Sequence, residues 1–531
     1  MRKFLVKTFA LLLIICGALF WLRSDAFVLA DTAALGLDDE TGWLPSHSQD
    51  PALMDMVESS HAGFIRVHLP FNEVSPAPGI FIWEYRSEQG YKNFDQLFDK
   101  LDSHGIQPIV VLSGGPIFAN HLYPQQPVFR DELLDAWSNY LSAAVQQFGQ
   151  QVDYWQIGAA INDPRNWGAV IFPSAEKPLA VPDTRLYADM LRIAYSIIKS
   201  AQITDTVLLG SLALGSECAF HPISYLQELK DNDAWYAFDI ISIELPILND
   251  SPEAAKVDVC GYLPAQSSGE PLADSFRALA DFVHEAGDKP IWAHGLSFSY
   301  DALHTKSIER GTLVEVVESD YLVRATAILM AEGGVDRVSW RYDPASAAPS
   351  LIALQSFSNL SQLLSGSVES SSLSLPDSYL QNMRFRGNGK LITIAWRTSG
   401  GDEFTAAVLP GFEGYSPYAW SADTSSLKNS AGFKLPLDNG GNVALMLSER
   451  PVIISGKPEN LKGSITLFLK DSATLAKRSF KAKATGFFQA QKAKAAEQVS
   501  AWVEKNQKSL LDSLKGAFNQ WLRETLGLAK F

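Results

Sequence analysis

Between residues 35 and 365, short apolar runs alternate with longer amphipathic ones. Gly63 to Leu69, Pro108 to Leu112, Val152 to Gly158, Thr206 to Ser211, Ala237 to Ile243, Lys289 to Ala293 and Val335 to Trp340 have the length and composition of buried strands. Ala34 to Leu37 is a weak first member of the series. Between them, Phe94 to His104, Arg130 to Phe148, Arg185 to Ala201, Ala273 to Ala286 and Tyr321 to Glu332 repeat apolar residues at helical spacing. Gly105, Gly149, Gly287 and Gly334 follow four of these helices, where a left-handed residue ends a helix readily. Strands that alternate with helices build a parallel sheet. Eight units over about 330 residues predict a (β/α)8 barrel of the TIM type. A doubly wound open sheet is the competing topology, but no Gly-x-Gly-x-x-Gly follows an early strand.

The pattern changes after residue 365. Ser365 to Ser374 is serine-rich and predicts a linker. Leu391 to Trp396, Phe404 to Leu409, Tyr415 to Ser421 and Val443 to Leu447 predict short strands separated by glycine-rich turns. Residues 366–456 are therefore expected to form a small antiparallel β-sandwich after a barrel over 31–365. Residues 457–531 differ again, with 14 Lys and Arg against 6 Asp and Glu. Within them Val499, Trp502, Val503, Leu510, Leu514, Phe518, Trp521 and Leu522 fall on one face of a helix. This basic helical tail suits docking on the acidic body, an anionic membrane surface or a partner protein.

Residues 1–30 have the form of an export signal: Arg2, Lys3 and Lys7, an apolar run from Phe9 to Leu22, then Val28-Leu29-Ala30. Cleaved or retained as an anchor, this segment places the chain outside the cytoplasm. The net charge of −15 argues against nucleic acid as a partner. Of three cysteines, Cys16 lies in the signal. Cys218 and Cys260 follow the fifth and sixth strands, and a disulfide between them is expected. No His/Cys spacing suggests a metal site, and no cofactor is expected.

With the strands laid out, the chain resembles the clan of retaining glycoside hydrolases built on (β/α)8 barrels, the β-xylosidase-like and family-5-like members above all. Phe64-Ile65-Arg66-Val67 followed by Phe71 to Gly79 is similar to their second-strand segment. Asp153 to Gly158, Phe238 to Ile243, Lys289 to Trp292 and Val335 to Trp340 are similar to strands four, six, seven and eight. Ser448 to Ile453 resembles the closing strand of their β modules. The resemblance implies a carbohydrate ligand and two catalytic glutamates, one as nucleophile and one as acid/base. Ala160 stands where it places the acid/base and Gly295 where it places the nucleophile. Neither can attack an anomeric carbon or transfer a proton. No catalytic residue is therefore expected, unless the work has moved to Asp163 and Glu244.

Candidate ligand contacts are Arg66 and His68 on one face of the second strand, and Asn162, Asp163 and Trp167 on the loop after the fourth. Glu244 ends the sixth strand where the family usually has histidine. Trp292 and His294 share a face of the seventh strand, and Trp340 stands at the family's aromatic sugar platform. Each has a plain structural alternative: a salt bridge from Arg66 to Glu244, loop capping, or core packing. Three functions remain open. They are a catalytically degenerate glycan-binding or envelope-scaffold protein, a glycosidase with relocated carboxylates, and an interaction protein anchored by its tail.

Overall fold

The computed structural model describes residues 34–40, 42–48, 50–87, 90–113, 130–163, 169–172, 179–214, 220–257, 270–342, 350–387, 390–398, 404–421 and 432–458. The first sheet contains β1 (Leu35–Asp39), β2 (Phe64–Pro70), β3 (Gln107–Ser113), β4 (Tyr154–Ile157), β5 (Thr206–Leu209), β6 (Ile241–Glu244), β7 (Ile291–Phe298) and β8 (Arg337–Arg341). Its ladders are parallel and run β6-β7-β8-β1-β2-β3-β4-β5. The ring closes where β5 meets β6. Leu208 bridges Ile240, and Leu212–Ala213, just beyond β5, pair with Ile243 and Glu244. A closed parallel ring is a barrel, which excludes the open doubly wound sheet.

A principal helix follows each strand: α1 (Pro51–Ser59), α2 (Phe94–Ser103), α3 (Arg130–Phe148), α4 (Thr184–Ala201), α5 (Pro222–Asp231), α6 (Leu272–Ala286), α7 (Val314–Ala331) and α8 (Leu351–Leu364); further helices at Trp43–His47, Phe71–Val74 and Tyr300–Arg310 precede α1, α2 and α7. Local signals set their starts. The side chains of Asn93, Asp183 and Ser350 accept from the backbone N–H three residues on, capping α2, α4 and α8. α3 buries Leu133, Ala136, Trp137, Tyr140, Leu141, Ala144 and Phe148, a stripe at three- and four-residue spacing. α7 begins well before the expected Tyr321. Its residues are buried all round, so the amphipathic signal that would mark its first turns is missing.

Strand alternation sorts the barrel's side chains. Leu37, Ile65, Val67, Val110, Trp155, Ile157, Leu209, Ile243 and Val338 face the helices in the main core. Phe64, Ile109, Tyr154, Leu208, Ile240 and Trp292 point inward and form an apolar floor. Gly36 makes that floor: a Cβ there would sit 2.3 Å from the Phe64 ring. Arg337 lies over Trp292, 4.2 Å from the ring centroid.

Beyond α8 come β9 (Ser367–Ser372), β10 (Leu380–Gly387), β11 (Lys390–Arg397), β12 (Thr405–Leu409), β13 (Tyr415–Ser421), β14 (Phe433–Lys434), β15 (Val443–Leu447) and β16 (Val452–Pro458). Six of them form an antiparallel sheet in the order β9-β10-β11-β16-β13-β14, while β12 pairs with β15. The serine-rich stretch is thus an edge strand, a correction to the expected linker. Its ladder uses backbone groups that serine supplies as well as valine does, and Ser370 Oγ donates to Met330 O on α7. One face of the sheet packs against β12 and β15. From the other, Met383, Phe385, Ile392, Ile394, Trp396 and Ile453 join the barrel's core. Glu253 fastens this seam, accepting from Arg324 Nε of α7 and from Trp396 Nε1, both at 2.7 Å.

Candidate functional site

Above the floor, the inward positions become polar. β1 contributes Asp38, β2 Arg66 and His68, β4 Gln156, β6 Ser242 and Glu244, β7 His294, and β8 Ser339 and Arg341. These lie toward the C-terminal ends of the strands, the face on which such barrels carry their sites.

Arg66 is fully buried and organises the group. Its Nη1 donates to both Asp38 oxygens at 3.2 and 3.0 Å, and its Nε to Gln156 Oε1 at 3.1 Å. Its Nη2 lies 3.7 Å from Glu244 Oε2 and 3.5 Å from Ser211 Oγ. Ser211 Oγ in turn donates to Glu244 Oε2 at 2.7 Å and accepts from Ala160 N at 3.0 Å. Arg341 pairs with Glu40 at the rim. Burial pulls the Arg66 pKa down, but Asp38, Glu244 and Glu40 together push it up, so the guanidinium stays charged. Burial raises the Asp38 pKa above the ordinary carboxylate value although Arg66 opposes it.

The two imidazoles are neutral. Burial, then the charge of Arg66, holds His68 and His294 well below the usual histidine range. Ser339 Oγ lies 3.1 Å from His294 Nδ1 and accepts from Gly295 N at 3.4 Å. A hydroxyl has one proton and two acceptor positions, so this contact serves either neutral tautomer of His294.

The remaining expected residues sit as follows. Asn162 is fully buried and braces two loops: its side chain donates to Ala213 O and Phe220 O and accepts from Ala213 N at 2.7 Å. Asp163 is only 3% exposed. Trp292 shares the inward face with His294, but it lies in the floor, stacked on Phe64 and 3% exposed. Trp340 requires a correction. Arg337, Ser339 and Arg341 take the inward positions of β8, so Trp340 faces α8, 5.6 Å from the Phe357 ring centroid and 2% exposed. It is no sugar platform. Trp167, Cys218 and Cys260 lie outside the described residues, as do the N-terminal segment and the tail. His68 is half-buried, and among the charged side chains Glu244 at 18%, Arg341 at 23% and Glu40 at 34% reach solvent.

The sequence reading missed Asp38, Gln156, Ser211 and Ser339 as members of the group. Counting alternate positions forward from Gly36 would have found Asp38, but Asp is rare in strands and the first strand was expected to end at Leu37.

The backbone at Ala160 and Gly295 is equally informative. Both have positive φ, 47° and 75°. A Cβ on Gly295 would meet Arg341 Nη2 at 3.0 Å and Asp38 Oδ2 at 3.5 Å. Positive φ is a conformation that glycine adopts at no steric cost, so the backbone at Gly295 favours a residue without a side chain.

No protein-family model matches the chain. It is similar to aryl-phospho-β-D-glucosidase BglA of Bacillus subtilis (strain 168), 24% identical over 228 residues, which are 40% of this chain and 44% of that protein. The chain thus spans less than half the length of that relative. Among solved structures it is similar to a GH30 endoxylanase from Clostridium papyrosolvens C71, with 11% identity, a TM-score of 0.48, and coverage of 80% and 96% of the two chains. A glucosidase from Croceicoccus marinus gives 12%, 0.49, 80% and 95%. A conserved exported protein from Bacteroides fragilis gives 12%, 0.49, 80% and 98%. The chain is similar to glycoside hydrolases. The barrel itself is shown by the closed ring of its strands.

Among the described residues no group of three His, Cys, Asp or Glu is placed to hold a metal ion. Among them, too, no helix is long and apolar enough to cross a membrane.

Proposed function

We propose that this protein is an exported, glycoside-hydrolase-like barrel that binds a glycan without hydrolysing it. The observation that carries the reading is the position of Gly295. The glutamate that the family resemblance requires is absent, the backbone holds φ at 75°, which strains residues other than glycine, and a Cβ would come 3.0 Å from Arg341 Nη2. A retaining mechanism needs two carboxylates about 5 Å apart, one free to attack and one to exchange a proton. Among the described residues of the mouth, Asp38 is held by Arg66, Glu244 by Ser211 and Arg66, and Glu40 by Arg341. Glu244 and Glu40, the two of these that reach solvent, suit hydrogen bonding to sugar hydroxyls better than attack on carbon. The relocated pair Asp163 and Glu244 is disfavoured because Asp163 is almost fully buried.

Two assays on the purified chain test this. A glycan array is expected to show binding, weakened by Glu244→Ala. Aryl glycosides and polysaccharides are expected to release no sugar. Turnover at the roughly 1–1000 per second of ordinary enzymes would overturn the absence of hydrolysis. An empty array would overturn glycan binding and leave the interaction-protein reading.

A further inference from the structure

The β12–β15 layer is apolar on both faces. Ala407, Leu409, Val443 and Leu447 pack inward against the six-stranded sheet. A face turned to water should carry polar residues at the alternate positions. Here those positions are Ala406 and Val408 on β12, with Phe404 just before it, and Ala444 and Met446 on β15. The pairings Ala406 with Met446 and Val408 with Ala444 join them into one patch. Phe404 is 54% exposed, and Val408 and Met446 are 57% exposed each. Strands apolar on both sides are the kind that something covers.

We propose that residues 493–531 of the same chain cover this patch, with Leu510, Leu514, Phe518 and Trp521 laid along it. Three observations select this occupant. First, the chain leaves the β region beside the patch. Pro458, the last residue of β16, pairs with Tyr415, which follows the end of β12 by six residues, and Phe412 N donates to Gly441 O just before β15. The 34 intervening residues, 459–492, reach any point on the layer, since an extended chain covers about 3.3 Å per residue. Second, the lengths agree. A five-residue strand is about 17 Å long, and the rise from Leu510 to Trp521 on a helix is also about 17 Å. Third, the charges are opposite in sign: residues 493–531 carry +2 (6 minus 4) and the connecting 459–492 carry +5 (7 minus 2), leaving −22 (−15 minus 7) for the rest.

The test places a photocrosslinking benzoylphenylalanine at position 446 of the full chain, using a mixture of isotopically heavy and light chains. Illumination is expected to join position 446 to a peptide from 493–531 of the same isotope. The double change Phe518→Asp and Trp521→Asp is expected to cut that product about tenfold or more, as loss of two buried apolar side chains should. It should also raise binding of an environment-sensitive apolar dye. This dye experiment leaves the sheet unaltered, so it stands even if a label at position 446 disturbs folding. Cross-links between heavy and light chains, or to lipid when anionic vesicles are present, would overturn the proposal. So would cross-linking to the barrel alone, or a dye signal that Phe518→Asp with Trp521→Asp leaves unchanged.

Discussion

Replacing Arg66 with methionine keeps most of the side-chain volume and removes the charge on which the barrel interior depends. Asp38, fully buried, then loses both bonds from Nη1, and Gln156 loses its donor. Breaking a buried ion pair from one side costs about 3–5 kcal/mol, because a charge remains without compensation. At about 2.1 cal/mol/K of unfolding entropy per residue, a unit of about 330 residues shifts roughly 1.4 °C per kcal/mol, so the melting temperature should fall roughly 4–7 °C. The sign of the pH dependence follows from Asp38. Its pKa in the fold is already raised by burial, and Arg66 is the strongest opposing influence. Without Arg66 it rises further, so the fold binds the Asp38 proton more tightly than the unfolded chain does. Stability of Arg66→Met should therefore fall as pH rises above the ordinary carboxylate value, and the deficit against the parent should shrink on acidification. Adding Asp38→Asn should recover much of the loss at pH 8. Urea midpoints at several pH values measure all of this. A variant as stable as the parent at pH 8, or a deficit that grows toward acid, would refute the account.

Three further outcomes are expected. Burial pushes Asp205 up to about 7 although Trp155 Nε1 donates to it, so stability should fall as pH rises from about 4 to 7. Asp205→Asn keeps that acceptor, and its urea midpoint should exceed the parent's at pH 8 but match it below pH 4. Gly36→Ala drives a Cβ into the Phe64 ring and should cost about 3 kcal/mol or more, with Phe64→Leu restoring most of it in a melt of the double variant. Chain exported by its native route should carry a Cys218–Cys260 disulfide closing a loop of about 40 residues, worth roughly 2–4 kcal/mol. Two free thiols in a mass spectrum would dismiss it.

Much of the barrel was legible because strand and helix periods are local. Arg130–Phe148 could be bounded from its apolar spacing and the glycine that follows it, and Tyr415–Ser421 from its composition and flanking turns. The absence of a carboxylate at Ala160 and Gly295 was also plain from the residues, given the motifs around them. Period two says that Trp292 and His294 share a face, but not which face is inside or how deep a residue lies. In a parallel barrel both faces of every strand are buried, so composition cannot separate them. Only ring closure turned Trp340 toward α8, sank Trp292 into the floor, and gathered Asp38, Arg66, Ser211 and Glu244 from four distant parts of the chain into one charged group. That grouping is a property of register and closure, because each residue's partner comes from another strand.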